Sequence, residues 1–148
     1  MFFTDRNEPS EKTGYLNEAF RLFHLRDQAS REFSWHYHDF HKVVIFLSGK
    51  ATYHIEGRSY PLKPWDILLV DRHAIHRPEI DSSVSYERFI LWIQNDIPHQ
   101  ELLSCFQKAR DRSYNLIRLS SDLQEKLKET LFQPFFSSFY LYSIFLKF

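Results

Sequence analysis

The chain has 148 residues, enough for one domain with a hydrophobic core and too few for two comfortable ones. Its 19 basic and 19 acidic side chains cancel, so no net field draws the whole chain to nucleic acid or to an acidic membrane. A single cysteine, Cys105, excludes an internal disulfide and makes a reducing cytoplasm the simplest compartment, while the polar N-terminus does not read as a signal peptide and no window approaches the ~18–20 apolar residues that span a bilayer.

In chain order, residues 1–15 are polar, contain Pro9 and Gly14, and read as a flexible arm. Residues 19–26, AFRLFHLR, suit a strand. From 33 to 93 the pattern is β. The run 43–47 is β-branched and aromatic, and Ser48-Gly49 offers a turn after it. Ala51, Tyr53 and Ile55 then alternate with Thr52, His54 and Glu56, the period of a half-buried strand. Glu56-Gly57 is a second hairpin turn. Residues 58–62, 66–70 and 84–93 are further strands, the last apolar on both faces at its end, as a central strand is. Strands at this spacing with no helix between them indicate a sandwich or barrel.

The period then changes. Asp96 suits a helix cap with Pro98 in the first turn, and Leu102, Leu103, Phe106 and Ala109 recur at helical spacing. A second helix begins near Ser120-Ser121, with Ser121 and Gln124 as a capping box and Leu123, Leu127 and Leu131 on one stripe, and it ends before Pro134. That stripe packs on its own barrel or on a second subunit. The tail holds seven aromatics between Phe135 and Phe148, a buried helix or the remnant of a longer chain. The resulting division is an arm over 1–15, a barrel over 16–96, helices over 97–133 and an apolar tail over 134–148.

Three histidines, His36, His38 and His41, stand at the mouth of the first long strand. Residues two apart in a strand share a face at roughly 6.5–7 Å, so His36 and His38 look into one space. With a third donor from a neighbouring strand, His76, they suit a metal ion, a gripped small molecule, or a polar rim with neither. Lys42 either points into the barrel, favouring an anionic or polyhydroxyl ligand, or is solvated at the strand start. Tyr53 and Trp92 lie on candidate inward faces, as core or as a ligand shelf. His41 and His54 read as surface residues, and Cys105 as a buried structural thiol. No nucleophile triad is present.

The order of these motifs resembles the cupin family. His36 and His38 match the first motif's H-x-H, and Gly49 falls in register, with Lys42 where the family has an acidic residue. Gly57, Pro64 and His76 fit the second motif. More narrowly, HYHDF, FLSGKATYHIEG, YPLKPWDILLV and IHRP resemble the effector-binding cupin domain of AraC-type transcriptional regulators, across roughly residues 15 to 131. Trp65 departs from the family's usual glycine.

The resemblance implies an antiparallel cupin barrel (double-stranded β-helix, or jelly roll) followed by two C-terminal α-helices that pair subunits into a homodimer. It implies a non-enzymatic, cytoplasmic sensor of a small polar effector such as a sugar, bound near His36, His38, Lys42, Tyr53, His76 and Trp92. DNA is then reached only through a C-terminal domain that does not appear in this sequence, and no cofactor is expected. The alternative is a stand-alone metal-dependent cupin enzyme, a dioxygenase or isomerase, with zinc, nickel, iron or manganese on His36, His38 and His76.

Overall fold

The computed structural model describes residues 2–3, 19–28 and 33–132. The arm and the apolar tail fall outside these residues, apart from Phe2 and Phe3. The strands are β1 (Phe2–Phe3), β2 (Phe20–Asp27), β3 (His41–Ser48), β4 (Ala51–Ile55), β5 (Arg58–Pro61), β6 (Ile67–Val70), β7 (His76–Ile80), β8 (Tyr86–Ile93) and β9 (Leu116–Ile117). The helices are α1 (Gln100–Asp111) and α2 (Ser121–Leu131). A six-stranded sheet, β1-β2-β8-β3-β6-β9, faces a three-stranded sheet, β5-β4-β7. Every pairing is antiparallel except β1 with β2. This is the cupin architecture, a β-shell followed by two helices.

Alternation along β3 and β8 sets the two sides of the large sheet. Val43, Ile45, Leu47, Phe89, Leu91 and Ile93 face outward and are buried under α1 and α2, with Phe106, Leu127 and Leu131 in the same cluster. Their in-between neighbours Val44, Ile90 and Trp92 fill the shell with Phe23, Phe40, Tyr53 and Val70. β3 and β8 are therefore apolar on both faces, as central strands require. Leu127 and Leu131 pack on the protein's own barrel, and Leu123 is partly buried there.

Several details differ from the sequence reading. Beyond the placing of His76 on a neighbouring strand, β7 was not delimited, because Pro78 and its polar neighbours look unlike a strand. It is an edge strand, where a missing N–H is tolerated. β9 lies between the two helices and returns the chain to β6. His99, not Asp96, precedes α1, and Ser120 precedes α2 without a side-chain cap. Gln124 instead donates to the Leu119 carbonyl at 3.1 Å.

The β4–β5 turn has Glu56 at φ 47° and Gly57 at φ 79°, the twist that matches a tight hairpin. Trp65 holds φ 71° where the resembled family has glycine, and its ring packs against the outer core. Gly49 has φ 115°, and a Cβ there would meet the Ser85 carbonyl oxygen at 2.7 Å. Nothing lies within 4 Å of a Cβ at Gly57. Gly49→Ala is thus expected to lower unfolding free energy by about 2–3 kcal/mol, from strain plus a backbone clash. Gly57→Ala adds only left-handed strain, about 1 kcal/mol. Urea unfolding of both variants checks the order, and equal losses would refute the clash.

Candidate functional site

Residues 33–40 approach β3 as a loop, not as a strand. Its one bridge joins His36 to His76, with His36 N–H donating to His76 O at 3.1 Å and the reverse bond at 2.9 Å. That bridge brings together imidazoles forty residues apart. Ring centroids are 5.0 Å apart for His36–His38, 4.3 Å for His36–His76 and 5.1 Å for His38–His76. One ligand nitrogen from each lies within 4.8 Å of the others.

The backbone fixes which nitrogen faces the cluster. His76 Nδ1 lies 2.8 Å from the Ala74 carbonyl, and His36 Nδ1 lies 2.8 Å from the Ser34 carbonyl. A carbonyl only accepts, so Nδ1 carries the proton and Nε2 keeps its lone pair. His76 is 1% exposed, and its Nε2 has no hydrogen-bond partner. Burial, followed by the nearby charge of Lys42, drives the His76 pKa down to about 2, so this imidazole is neutral at physiological pH.

Lys42 is 2% exposed, so the solvated placement is excluded. Its Nζ lies 5.7 Å from the centroid of the Tyr53 ring, itself 1% exposed. Trp92 pairs with Lys42 across β3 and β8 and contacts Phe23 and Phe40 at 4.7 and 4.5 Å. It stands 6.3 Å from the His38 ring, and its buried Nε1–H also lacks a partner. The six anticipated residues thus share the shell interior and its mouth.

His41 was expected at the surface and is buried instead. It stacks on Phe106 of α1 at 4.5 Å and lies 2.9 Å from both Asn95 Oδ1 and Asp71 Oδ1. Asp71 also meets Arg110 of α1 at 2.8 Å. Burial raises the Asp71 pKa, but the His41 hydrogen bond and the charges of His41 and Arg110 outweigh it and hold the carboxyl below its usual range. His54, also expected outside, is half-buried between Ser59 and Glu79, at 2.8 Å from each. His73 stays out of the cluster and meets Asp39 at 2.9 Å.

Sequence reasoning missed Arg88, a 1%-exposed cation inside the shell, 2.8 Å from Asp27 Oδ2 and 4.2 Å from the Tyr86 ring centroid. Its parity with Trp92 along β8 was the available signal.

The family model for the AraC-like ligand binding domain matches residues 21–133, most of the chain. The protein belongs to the AraC-like ligand binding domain family. Several solved cupin structures are similar to parts of the chain. A cupin-2 domain containing protein from Shewanella frigidimarina is 17% identical over 62% of this chain and 85% of its own, with a TM-score of 0.46. An RmlC-like cupin with a double-stranded β-helix fold from Methanocaldococcus jannaschii is 17% identical over 53% and 74%, at 0.46. The DMSP lyase DddQ from Ruegeria pomeroyi is 18% identical over 53% and 40%, at 0.46. The comparison with curated proteins gave no match. In this AraC-like domain, no helix among the described residues is long and apolar enough to cross a membrane.

The donor set also fits a divalent ion: each imidazole offers one ring nitrogen, two of the rings are oriented by carbonyls behind them, and His76 is neutral. Lys42 stands where a carboxylate ligand would lower the charge of such a site, and its ammonium opposes a cation.

Proposed function

We propose that this domain is the non-enzymatic sensing half of an AraC-type transcriptional regulator, and that its barrel binds a small hydroxylated effector such as a sugar. The observation that carries this reading is a pair of buried, unpartnered polar atoms of opposite character inside the shell. His76 Nε2 can only accept, and Trp92 Nε1–H can only donate. Each is costly to leave unsatisfied, by about 1–3 kcal/mol. A hydroxyl serves both roles, donating to the imidazole and accepting from the indole or from Lys42. A simple anion does not suit His76, which offers a lone pair and resists protonation.

In this reading the site is completed by Tyr53, His36 and His38, and the protein works in the cytoplasm as a homodimer paired through its helices. Because Leu127 and Leu131 face the barrel, pairing would use other faces of α1 and α2. DNA contact belongs to a separate C-terminal domain of the kind such regulators carry.

The runner-up is a metal-dependent cupin enzyme, favoured by the histidine triad alone. Two measurements separate them. Protein purified without added metal is expected to carry well under one equivalent by elemental analysis. A panel of pentoses, hexoses and polyols is expected to contain a ligand that raises the unfolding midpoint, by about 2.7 kcal/mol of stability at a hundred times its Kd, and this gain should vanish in His76→Ala. A near-stoichiometric metal that is lost in His36→Ala would overturn the sensor in favour of the enzyme.

A further inference from the structure

Away from the barrel interior, a cleft of about 290 Å³ opens between the last turns of α1 and the β9 edge of the large sheet. Leu69, Ala109, Leu116 and Ile117 give it an apolar floor and wall, and the Cys105 thiol lies among them. Lys108 and Arg112, four positions apart and so on one helical face, line the same cleft. No carboxylate lines it.

Basic residues late in a helix ordinarily complement the helix dipole. That accounts for their presence in α1 but not for their company. Arg110, in the same turn, has Asp71 as its ion-pair partner. Lys108 and Arg112 have no carboxylate within ion-pair distance among the described residues. Lys108 lines the cleft three positions after Cys105, on the same side of α1. An apolar floor under two uncompensated cations selects a hydrocarbon that carries one negative charge. The volume, at the low end for ligand sites, keeps that molecule small.

We propose that this cleft is a second ligand site, distinct from the barrel, which takes a small free monocarboxylate with an apolar body. The carboxylate meets Lys108 and Arg112, and the hydrocarbon lies on Leu69 and Leu116. Such a ligand wedges between α1 and β6, the strand that pairs with both β3 and β9, and so acts on how α1 seats against the barrel.

The test uses the full chain with sodium octanoate as probe and octanol as its uncharged control. Titration calorimetry should show saturable octanoate binding that weakens about tenfold in Lys108→Gln/Arg112→Gln and is unchanged in His76→Ala. Both side chains of the double variant are solvated, so its wild-type unfolding midpoint serves as the folding control. Cys105 is the only cysteine, so its alkylation by neutral iodoacetamide, followed by mass, reports the cleft directly. Octanoate should slow it about fivefold and octanol should not. If the thiol reacts too slowly to follow, the calorimetry decides alone. The site is refuted by absence of binding, by equal effects of octanol, or by binding that survives the double variant. Loss in His76→Ala alone refutes it too, by placing the acid in the barrel.

Discussion

Acidifying the metal-free protein from pH 7.5 to 4.5 is expected to remove about 3 kcal/mol of stability through His76 alone. The imidazole titrates near 6.5 in the unfolded chain and near 2 in the folded one. Below pH 6.5 the unfolded state therefore binds a proton that the folded state refuses. The contribution of neutral His76 is complete above pH 6.5 and falls by about 1.4 kcal/mol per unit as pH drops towards the folded value. Burial is the first cause, and the Lys42 charge adds to it. His76→Asn removes the titration while keeping an amide N–H near the Ala74 carbonyl. Urea unfolding with a chelator at pH 7.5, 6.5, 5.5 and 4.5 should show a steeper fall for wild type than for the variant. Parallel curves would mean that His76 is solvated and that the cluster opens to water. Bound effector or metal should protect against acid, because either occupies Nε2.

The second large effect concerns the other end of the shell. Asp27→Ala should destabilise the fold by about 3 kcal/mol, while Arg88→Met costs about 1 kcal/mol or less. The asymmetry follows from desolvation. Arg88 is 1% exposed, and its Nη1 donates to Asp27 Oδ2 at 2.8 Å and to the Tyr86 carbonyl at 3.3 Å. Removing Asp27 takes a charged acceptor away from a buried guanidinium, a change worth about 3–5 kcal/mol where both partners are fully buried. The 23% exposure of Asp27 puts this pair at the lower end. Replacing the cation by an apolar chain of similar length removes the charge and leaves Asp27 at the water-facing rim. Denaturant unfolding of the two variants compares them. A larger loss in Arg88→Met would show that the guanidinium acts mainly through packing on Tyr86.

Much of the scaffold was legible in the sequence because its cues are local. The alternation at 51–56, the Glu56-Gly57 turn and the apolar run of β8 each depend on near neighbours in the chain, and the structure shows a strand, a left-handed turn and a central strand at those places. The extent of β7 escaped notice because its strand character comes from its pairing with β4, against the local preference of Pro78. His41 escaped for a similar reason. A polar residue at a strand start looks solvated until α1 folds over it and supplies Phe106 and, through Asp71, Arg110.

The site divides in the same way. The H-x-H spacing put His36 and His38 side by side, and strand parity turned Lys42, Tyr53 and Trp92 inward together. By itself, then, the sequence determined a β-shell with polar side chains directed at its interior, because side-chain direction along an extended chain has a fixed period of two. Only the tertiary structure decided that His76 joins them, that carbonyls behind two rings leave lone pairs facing inward, and that Lys42 and Arg88 are buried. Those facts depend on pairing between distant segments and on exclusion of water, and neither is encoded in the spacing of neighbouring residues.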